Sequence, residues 1–201
     1  ISYMWIWSGS RKKEIWFGRI VICICGGRMV EDDVKLCMAE CCDQFLAFLM
    51  DYMSIVAQEQ QERRLKVLYY LSIQPLRVGI RMNKLIFRIQ VMEEEFYLGK
   101  REIVEYYYPD KIQKRFDDSI TSLYQETRKK IIRMQQYEWG EIRNQYSKQY
   151  ITWFYLMFKN EVSSILTCLE KCNVKVSENF KILFGEYMDR AVILYRGGAD
   201  K

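Results

Sequence analysis

The stretch 140–166, GEIRNQYSKQYITWFYLMFKNEVSSIL, is the basis for predicting the fold. After a charged start it becomes rich in large apolar side chains that recur at helical spacing. The stripe follows Ser147, a residue type that caps helices, and consists of Ile151, Phe154, Phe158, Val162, Ile165, Leu169 and Cys172. Trp153, Leu156 and Met157 lie to one side of it. The sequence therefore predicts a helix that is apolar on more than one face and needs two surfaces to pack against.

A second helix of this kind is predicted at the carboxyl end of the chain. Ser177 can cap it, and Gly197 and Gly198 can end it. Its apolar side carries Phe180, Leu183, Phe184, Tyr187, Ala191, Leu194 and Tyr195. Two copies of this terminal pair would form a four-helix bundle, so we expect a homodimer. The residues expected at its interface are Phe154, Phe158, Val162, Ile165, Phe184 and Tyr187.

The rest of the chain also favours helices, and the predicted fold class is all-α with about nine of them. Only two prolines and ten glycines interrupt 201 residues, half of which are apolar. The remaining helices are predicted at 12–25, 32–39, 43–50, 52–72, 77–97, 100–108 and 110–137, although 12–25 would also suit a strand. We expect a small amino-terminal domain at 1–51 and a larger one at 52–201.

Charge and the absence of histidine limit the possible chemistry. The net charge of +5 is unevenly distributed, because residues 1–60 carry six Lys and Arg against eight Asp and Glu. Without histidine there is no Ser-His or Cys-His nucleophile pair, no His-ligated zinc and no imidazole base. Carboxylate runs such as Glu93 to Glu95 have no activated nucleophile or phosphate-binding glycine loop beside them. The sequence therefore predicts a protein that is not an enzyme.

Seven cysteines, an odd number, favour reduced thiols in the cytoplasm over a disulfide framework. Cys37 and Cys41, like Cys168 and Cys172, are four residues apart on predicted helices, so two such pairs could bind zinc through four thiolates. Buried cysteine, which behaves as a small hydrophobe, is the favoured alternative, and we expect no cofactor. The longest uncharged runs span ten residues, too few to cross a membrane. No secretory signal is evident, and the expected location is cytoplasmic.

The layout of three short helices followed by six longer ones resembles the TetR (tetracycline-repressor-like) family of transcriptional regulators. Near the carboxyl end, IIRMQQYEWGEIRNQYSKQYITWFYLMFKNEVSSIL resembles the family's loop and first dimerisation helix, and ENFKILFGEYMDRAVILYRGG its closing helix. The amino end is similar in Arg11, Lys12, Lys13 and Ile15, which match the family's opening. Gly27 and Ala39 fall on a family glycine and alanine, and Phe48 on the Tyr of the recognition helix.

This resemblance implies a homodimeric repressor with an amino-terminal helix-turn-helix and a pocket for a small apolar or aromatic effector. The implied contacts with double-stranded DNA are Arg11, Lys12, Lys13, Gln44 and Phe48. Aromatic and methionine side chains are the candidates for the effector pocket, namely Phe96, Phe116, Tyr124, Trp139, Trp153 and Met157. The alternative for these residues is that they are packed core, which is the usual role of apolar side chains at helical spacing.

Departures from the family pattern lead to a second hypothesis. Cys41 and Cys42 replace the usual Gly-Val of the tight turn, and no basic residue lies between Lys35 and Arg63. A recognition helix needs cations toward the phosphates of DNA. The alternative function is therefore a helical homodimeric interaction or ligand-binding protein that binds no operator.

Overall fold

A computed structural model of the chain describes residues 29–94, 103–130, 135–186 and 190–198. It is an α/β protein with a five-stranded mixed sheet, so the prediction of an all-α fold is wrong. The helices are α1 (Met29–Gln61), α2 (Arg77–Arg81), α3 (Asp110–Lys130), α4 (Gln136–Asn160) and α5 (Val162–Lys171). The strands are β1 (Leu68–Pro75), β2 (Phe87–Met92), β3 (Ile103–Tyr107), β4 (Val176–Gly185) and β5 (Ala191–Arg196).

The sheet has the strand order β3-β2-β1-β4-β5. Strands β1 to β3 form an antiparallel meander, and β4 with β5 forms an antiparallel pair. Between them, β1 and β4 run parallel, with Tyr70 opposite Lys181 and Ile73 opposite Phe184. A parallel pair needs a long crossover, and here α3, α4 and α5 lie in the connection.

Strand β2 shows why the helix predicted at 77–97 is wrong. Its sequence FRIQVM alternates apolar and polar residues, and Phe87, Ile89 and Val91 are completely buried. The Phe87 ring lies 4.6 Å from the ring of Phe154, so this face of the sheet packs against α4. The spacing of four and three that suggested a helix is present, but the period of two is the one that the fold uses. The helix predicted at 52–72 holds as far as Gln61, the end of α1, and the chain then forms β1 from Leu68. The helix predicted at 100–108 gives way to β3.

The carboxyl end forms strands where a dimerisation helix was predicted. Phe180, Ile182 and Phe184 alternate along β4 and are buried against the helices. The Phe184 ring lies 5.8 Å from that of Phe158, so α4 and β4 bury their apolar surfaces on each other. The second half of the proposed four-helix bundle is therefore absent from the part of the chain that the structure describes.

The amino-terminal helices predicted at 32–39 and 43–50 are one continuous helix. α1 runs from Met29 to Gln61, through the predicted turn at Cys41 and Cys42 and across the predicted domain boundary between residues 51 and 52. Cys41 and Phe45 are completely buried in α1, one helical turn apart. The described residues of this region therefore contain no helix-turn-helix, and the expectation of an all-α, TetR-like fold is wrong. The helix predicted at 12–25 lies outside the described residues.

Two predicted helices are confirmed. α3 starts at Asp110, directly after Pro109, and buries the predicted side chains Ile112, Phe116, Ile120, Leu123 and Thr127. The predicted helix at 147–172 corresponds to most of α4 and to α5, which are separated by a turn at Glu161. Ser147 does not cap this helix, because it lies inside α4, where its hydroxyl donates a hydrogen bond to the Arg143 carbonyl. No helix in the described ranges is long and apolar enough to cross a membrane.

The core lies between the sheet and the helices and is rich in aromatic rings. Phe45 of α1 contacts Phe158 of α4 and Tyr107 of β3, with ring centroids 4.7 and 5.2 Å apart.

Gln60, at the end of α1, joins the helix to both parallel strands. Its amide nitrogen donates to the Lys66 and Lys175 carbonyls, and its amide oxygen accepts from the Lys175 N–H. These contacts fix where β1 and β4 begin, and so where they end.

Candidate functional site: a basic groove

The parallel strands β1 and β4 end side by side at one edge of the sheet. Arg77 follows β1 after a single residue, and Glu186 follows β4 directly. The Arg77 guanidinium donates a hydrogen bond to the Glu186 carboxylate and forms an ion pair with it. In open α/β sheets, ligands bind outside the carboxyl ends of parallel strands. This edge is therefore a position where the topology itself favours a site.

Helix α4 forms the opposite wall of a groove of about 620 Å³ at this edge. Gly140, Arg143, Asn144, Lys148, Ile151 and Thr152 of α4 line it, together with Arg77, Ile80, Arg81 and Glu186. The spacings of three, one, four, three and one along α4 spread these residues over a length of roughly 18 Å. The volume lies within the range of about 300–1,000 Å³ that is typical of small-molecule sites.

The groove is strongly basic. Arg77, Arg81, Arg143 and Lys148 line it, and Glu186 is its single acidic residue among the described ones. Arg143 Nη2 donates a 3.2 Å hydrogen bond to the Arg81 carbonyl, which holds this guanidinium against α2. Within the described ranges, no carboxylate forms an ion pair with Arg81, Arg143 or Lys148. Three cations without a carboxylate partner among the described residues therefore line one small volume.

The rest of the lining combines neutral polar groups, apolar side chains and open space. Thr152 donates its hydroxyl hydrogen bond to the Lys148 carbonyl at 3.0 Å, so this hydroxyl can accept a bond from a ligand. Ile80 and Ile151 are half-buried and give the groove an apolar part. A Cβ built on Gly140 would meet no atom within 4 Å, so this wall leaves room where other residues would project a side chain.

The groove contains groups that bind anions but no nucleophile paired with a base among its described lining residues. The described cysteines lie elsewhere. Burial, together with the nearby Glu161 carboxylate, raises the pKa of Cys42 to about 11. Burial also raises the pKa of Cys168. A reactive thiolate needs a lowered pKa, so these two thiols do not fit the redox or nucleophile role.

The four-thiolate zinc site, which the cysteine spacing allowed as the less favoured interpretation, has no support among the described residues. The side chain of Cys37 lies outside the described residues, while Cys41 is buried against Tyr107, whose hydroxyl donates to the Cys41 carbonyl. Cys172 contacts the Met50 carbonyl at 3.6 Å and the Ser54 hydroxyl at 3.7 Å. The described residues hold no group of three or more acidic or cysteine side chains arranged for a metal ion.

The residues predicted to contact DNA fall in two places. Arg11, Lys12 and Lys13 lie outside the described residues. Gln44 and Phe48 lie on α1 and are half-buried. The Phe48 ring lies 5.3 Å from the Tyr107 ring, so it belongs to the packing between α1 and the sheet. The Gln44 Oε1 atom is buried without a hydrogen-bond partner.

The predicted effector-pocket residues pack on one another, and none of those described lines the basic groove. Phe116 is completely buried, with its ring 4.9 Å from the Tyr150 ring, and Met157 is buried as well. Trp153 contacts Tyr150 in the same way, with ring centroids 4.9 Å apart. Tyr124 and Trp139 form an edge-on pair, also at 4.9 Å. Phe96 lies outside the described residues. Packed core, the alternative for this set, describes Phe116 and Met157.

Four of the six residues predicted at a dimer interface are buried within a single chain. Phe154, Phe158 and Ile165 are completely buried, and Phe184 is 6% exposed. Val162 is half-buried at the start of α5, and Tyr187 lies outside the described residues. Side chains that the sheet already covers leave little apolar surface for a second subunit at this place.

Sequence reasoning missed the residues of the groove. Lys148 and Thr152 carried a usable signal, since they are four residues apart on the helix predicted at 147–172, whereas Arg143 precedes that helix. Arg77, Arg81 and Glu186 carried none, because they join these residues only through the pairing of β1 with β4. No family model matches this chain, and neither a curated protein nor a solved structure matches it. The resemblance to the TetR family thus has no support from these comparisons.

Proposed function

We propose that this protein binds a small organic anion that carries at least two negatively charged groups. The observation that carries the proposal is the set of three cations, Arg81, Arg143 and Lys148, which share one groove and have no carboxylate partner among the described residues. Cations placed together repel one another, and a bound anion would remove this repulsion. The proposal keeps one part of the second hypothesis from the sequence, namely that the protein binds a ligand and binds no operator DNA.

The spacing of the cations supports a ligand with two separated charges. Arg143 and Lys148 are five residues apart on α4, which corresponds to roughly 7.5 Å along the helix axis. Arg81 lies beside Arg143, because its carbonyl accepts the Arg143 hydrogen bond. One anionic group would bind between these two guanidinium groups, where bidentate contacts form readily. The second would bind at Lys148, close to the Thr152 hydroxyl.

The walls of the groove favour a small molecule over a nucleic acid. Its described lining includes no aromatic side chain on which a base could stack. Instead, Ile80 and Ile151 offer an apolar surface, and Asn144 offers an amide for a hydroxyl or carbonyl group. A phosphorylated sugar or a di-acid fits this combination. The described lining of the groove pairs no nucleophile with a base, so the proposal is one of binding.

Calorimetric titration tests the proposal with two probes that differ by one charged group. We expect fructose 1,6-bisphosphate to bind at least tenfold more tightly than fructose 6-phosphate, because the second phosphate gains a charge-assisted hydrogen bond at Lys148. Lys148→Gln should remove this preference, and Arg143→Gln should weaken both probes. The matched control is Lys114→Gln, which removes the same charge from an exposed position on α3.

Three outcomes would contradict the proposal. Equal affinity for both probes would show that the groove does not select two charges. Equal weakening by Lys114→Gln and Lys148→Gln would mean that net charge alone drives binding. Tighter binding of a single-stranded oligonucleotide, abolished by Arg143→Gln, would assign the groove to nucleic acid instead.

A further inference from the structure

A second cavity, of about 480 Å³, lies on the sheet where β1 and β4 lose their regular pairing. Leu68 pairs with Val176, but the next partners are Tyr70 and Lys181, so β4 carries extra residues at this point. Irregularities of this kind redirect side chains. Here two consecutive residues of β1, Tyr69 and Tyr70, both line the cavity, with ring centroids 6.5 Å apart.

Two cations stand opposite each other beside these rings. Lys181 of β4 and Arg196 of β5 are direct cross-strand partners, and both line the cavity. Like charges in this position destabilise a sheet. Within the described ranges neither forms an ion pair with a carboxylate. The Lys181 ammonium lies 5.5 Å from the centre of the Tyr70 ring, so the cations and the aromatic surface are contiguous.

Adjacent groups complete a recognisable set of ligand contacts. The exposed side chains of Asn179 and Glu94 also line the cavity. The amide of Asn179 can donate to and accept from the edge of a base, and the carboxylate of Glu94 accepts from hydroxyl groups. Aromatic rings provide a stacking surface for any base. The two cations can bind a phosphate, the tyrosine rings can stack on a base, and the Glu94 carboxylate can accept hydrogen bonds from the hydroxyl groups of a ribose.

We propose that this cavity binds a ribonucleoside monophosphate, with the phosphate between Lys181 and Arg196 and the base against the tyrosine rings. The site is distinct from the basic groove, with which it shares no lining residue. The cross-strand pair of cations, which has no carboxylate partner in the described ranges, is the observation that favours an anion here. The two tyrosines that the irregular pairing exposes together are the observation that requires a planar group.

Equilibrium dialysis tests the site with each of the four common ribonucleoside monophosphates, with their nucleosides and with ribose 5-phosphate. At least one monophosphate should bind ten times more tightly than both its nucleoside and ribose 5-phosphate. Arg196→Gln and Tyr70→Leu should each weaken that binding about tenfold. Lys148→Gln is the control of equal charge change in the basic groove and should leave it unaltered.

The variant Arg196→Glu separates a ligand site from a merely structural pair. It places a carboxylate opposite Lys181, so the melting temperature should rise while monophosphate binding is lost. A lower melting temperature would overturn the argument that the native pair is unfavourable. If ribose 5-phosphate bound as tightly as every monophosphate, the tyrosine rings would not be the binding surface for the base. If Lys148→Gln abolished monophosphate binding, the nucleotide site would be the basic groove instead. Monophosphate binding in Arg196→Glu equal to that of the native protein would remove the proposal.

Discussion

Replacing Tyr52 with phenylalanine removes one atom that joins α1 to two strands of the sheet. The Tyr52 hydroxyl donates a 2.7 Å hydrogen bond to the Ile103 carbonyl of β3 and accepts a 3.1 Å bond from the Val91 N–H of β2. Tyr52 is 1% exposed and Val91 is completely buried, so little water can replace the hydroxyl. The change tests whether α1 packs against the sheet as the structure has it.

We expect Tyr52→Phe to lower the free energy of unfolding by about 2–3 kcal/mol. Each lost hydrogen bond costs about 1 kcal/mol net, and the Val91 N–H left buried without a partner costs up to ~1 kcal/mol more. For a domain of this size, such a loss corresponds to a fall in melting temperature of about 4–12 °C. Thermal unfolding followed by circular dichroism measures this fall, and hydrogen exchange measures protection of the Val91 amide.

The control variant is Tyr124→Phe, because Tyr124 is 38% exposed and its recorded contacts are made by the ring. It should change the free energy of unfolding by less than about 0.5 kcal/mol. If Tyr52→Phe were as mild as this control, or if the Val91 amide kept its full protection, the position of α1 on the sheet would be refuted.

Three other changes test the fold and its pH dependence. Gly140→Ala should raise the free energy of unfolding by about 0.5–1 kcal/mol in urea titration, because Gly140 lies inside α4 with open space at its Cβ position; a loss of stability would contradict this placement of Gly140. Gln60→Leu should lower it by about 2 kcal/mol, because three hydrogen bonds to the starts of β1 and β4 are lost, whereas a neutral effect would contradict their role. The native protein should lose stability as pH rises from about 9 toward 11, because the pKa of Cys42 is about 11 in the folded state against 9.0 in the unfolded chain, so the folded state binds the thiol proton more tightly. Urea titrations across this pH range should show a smaller loss of stability for Cys42→Ala than for the native protein. An equal loss in the two proteins would count against the burial of this thiol. Burial raises the pKa of Tyr52 and Tyr107 as well, so further loss follows above pH 10.

The strands could not be predicted from periodicity alone, because two periods fit the same residues. In β4, Phe180, Leu183, Phe184 and Tyr187 follow a helical spacing, while Phe180, Ile182 and Phe184 follow the alternation of a strand. A helix forms its hydrogen bonds locally, but β4 obtains them from β1, more than a hundred residues earlier. Composition with few prolines and glycines favoured helices, and long-range pairing overrode it.

The sequence by itself determined that the chain has a large apolar core and where its strongest helices lie. It also determined the stripe of α3 and the broadly apolar surface of α4, because both depend on side chains within a few turns of each other. Only the tertiary structure decided what covers α4, namely the sheet. It also decided the two candidate sites, because Arg77 and Glu186, or Lys181 and Arg196, become neighbours only when strands distant in sequence pair. Pairing across such distances depends on the complementarity of whole surfaces, which no local pattern of residues encodes.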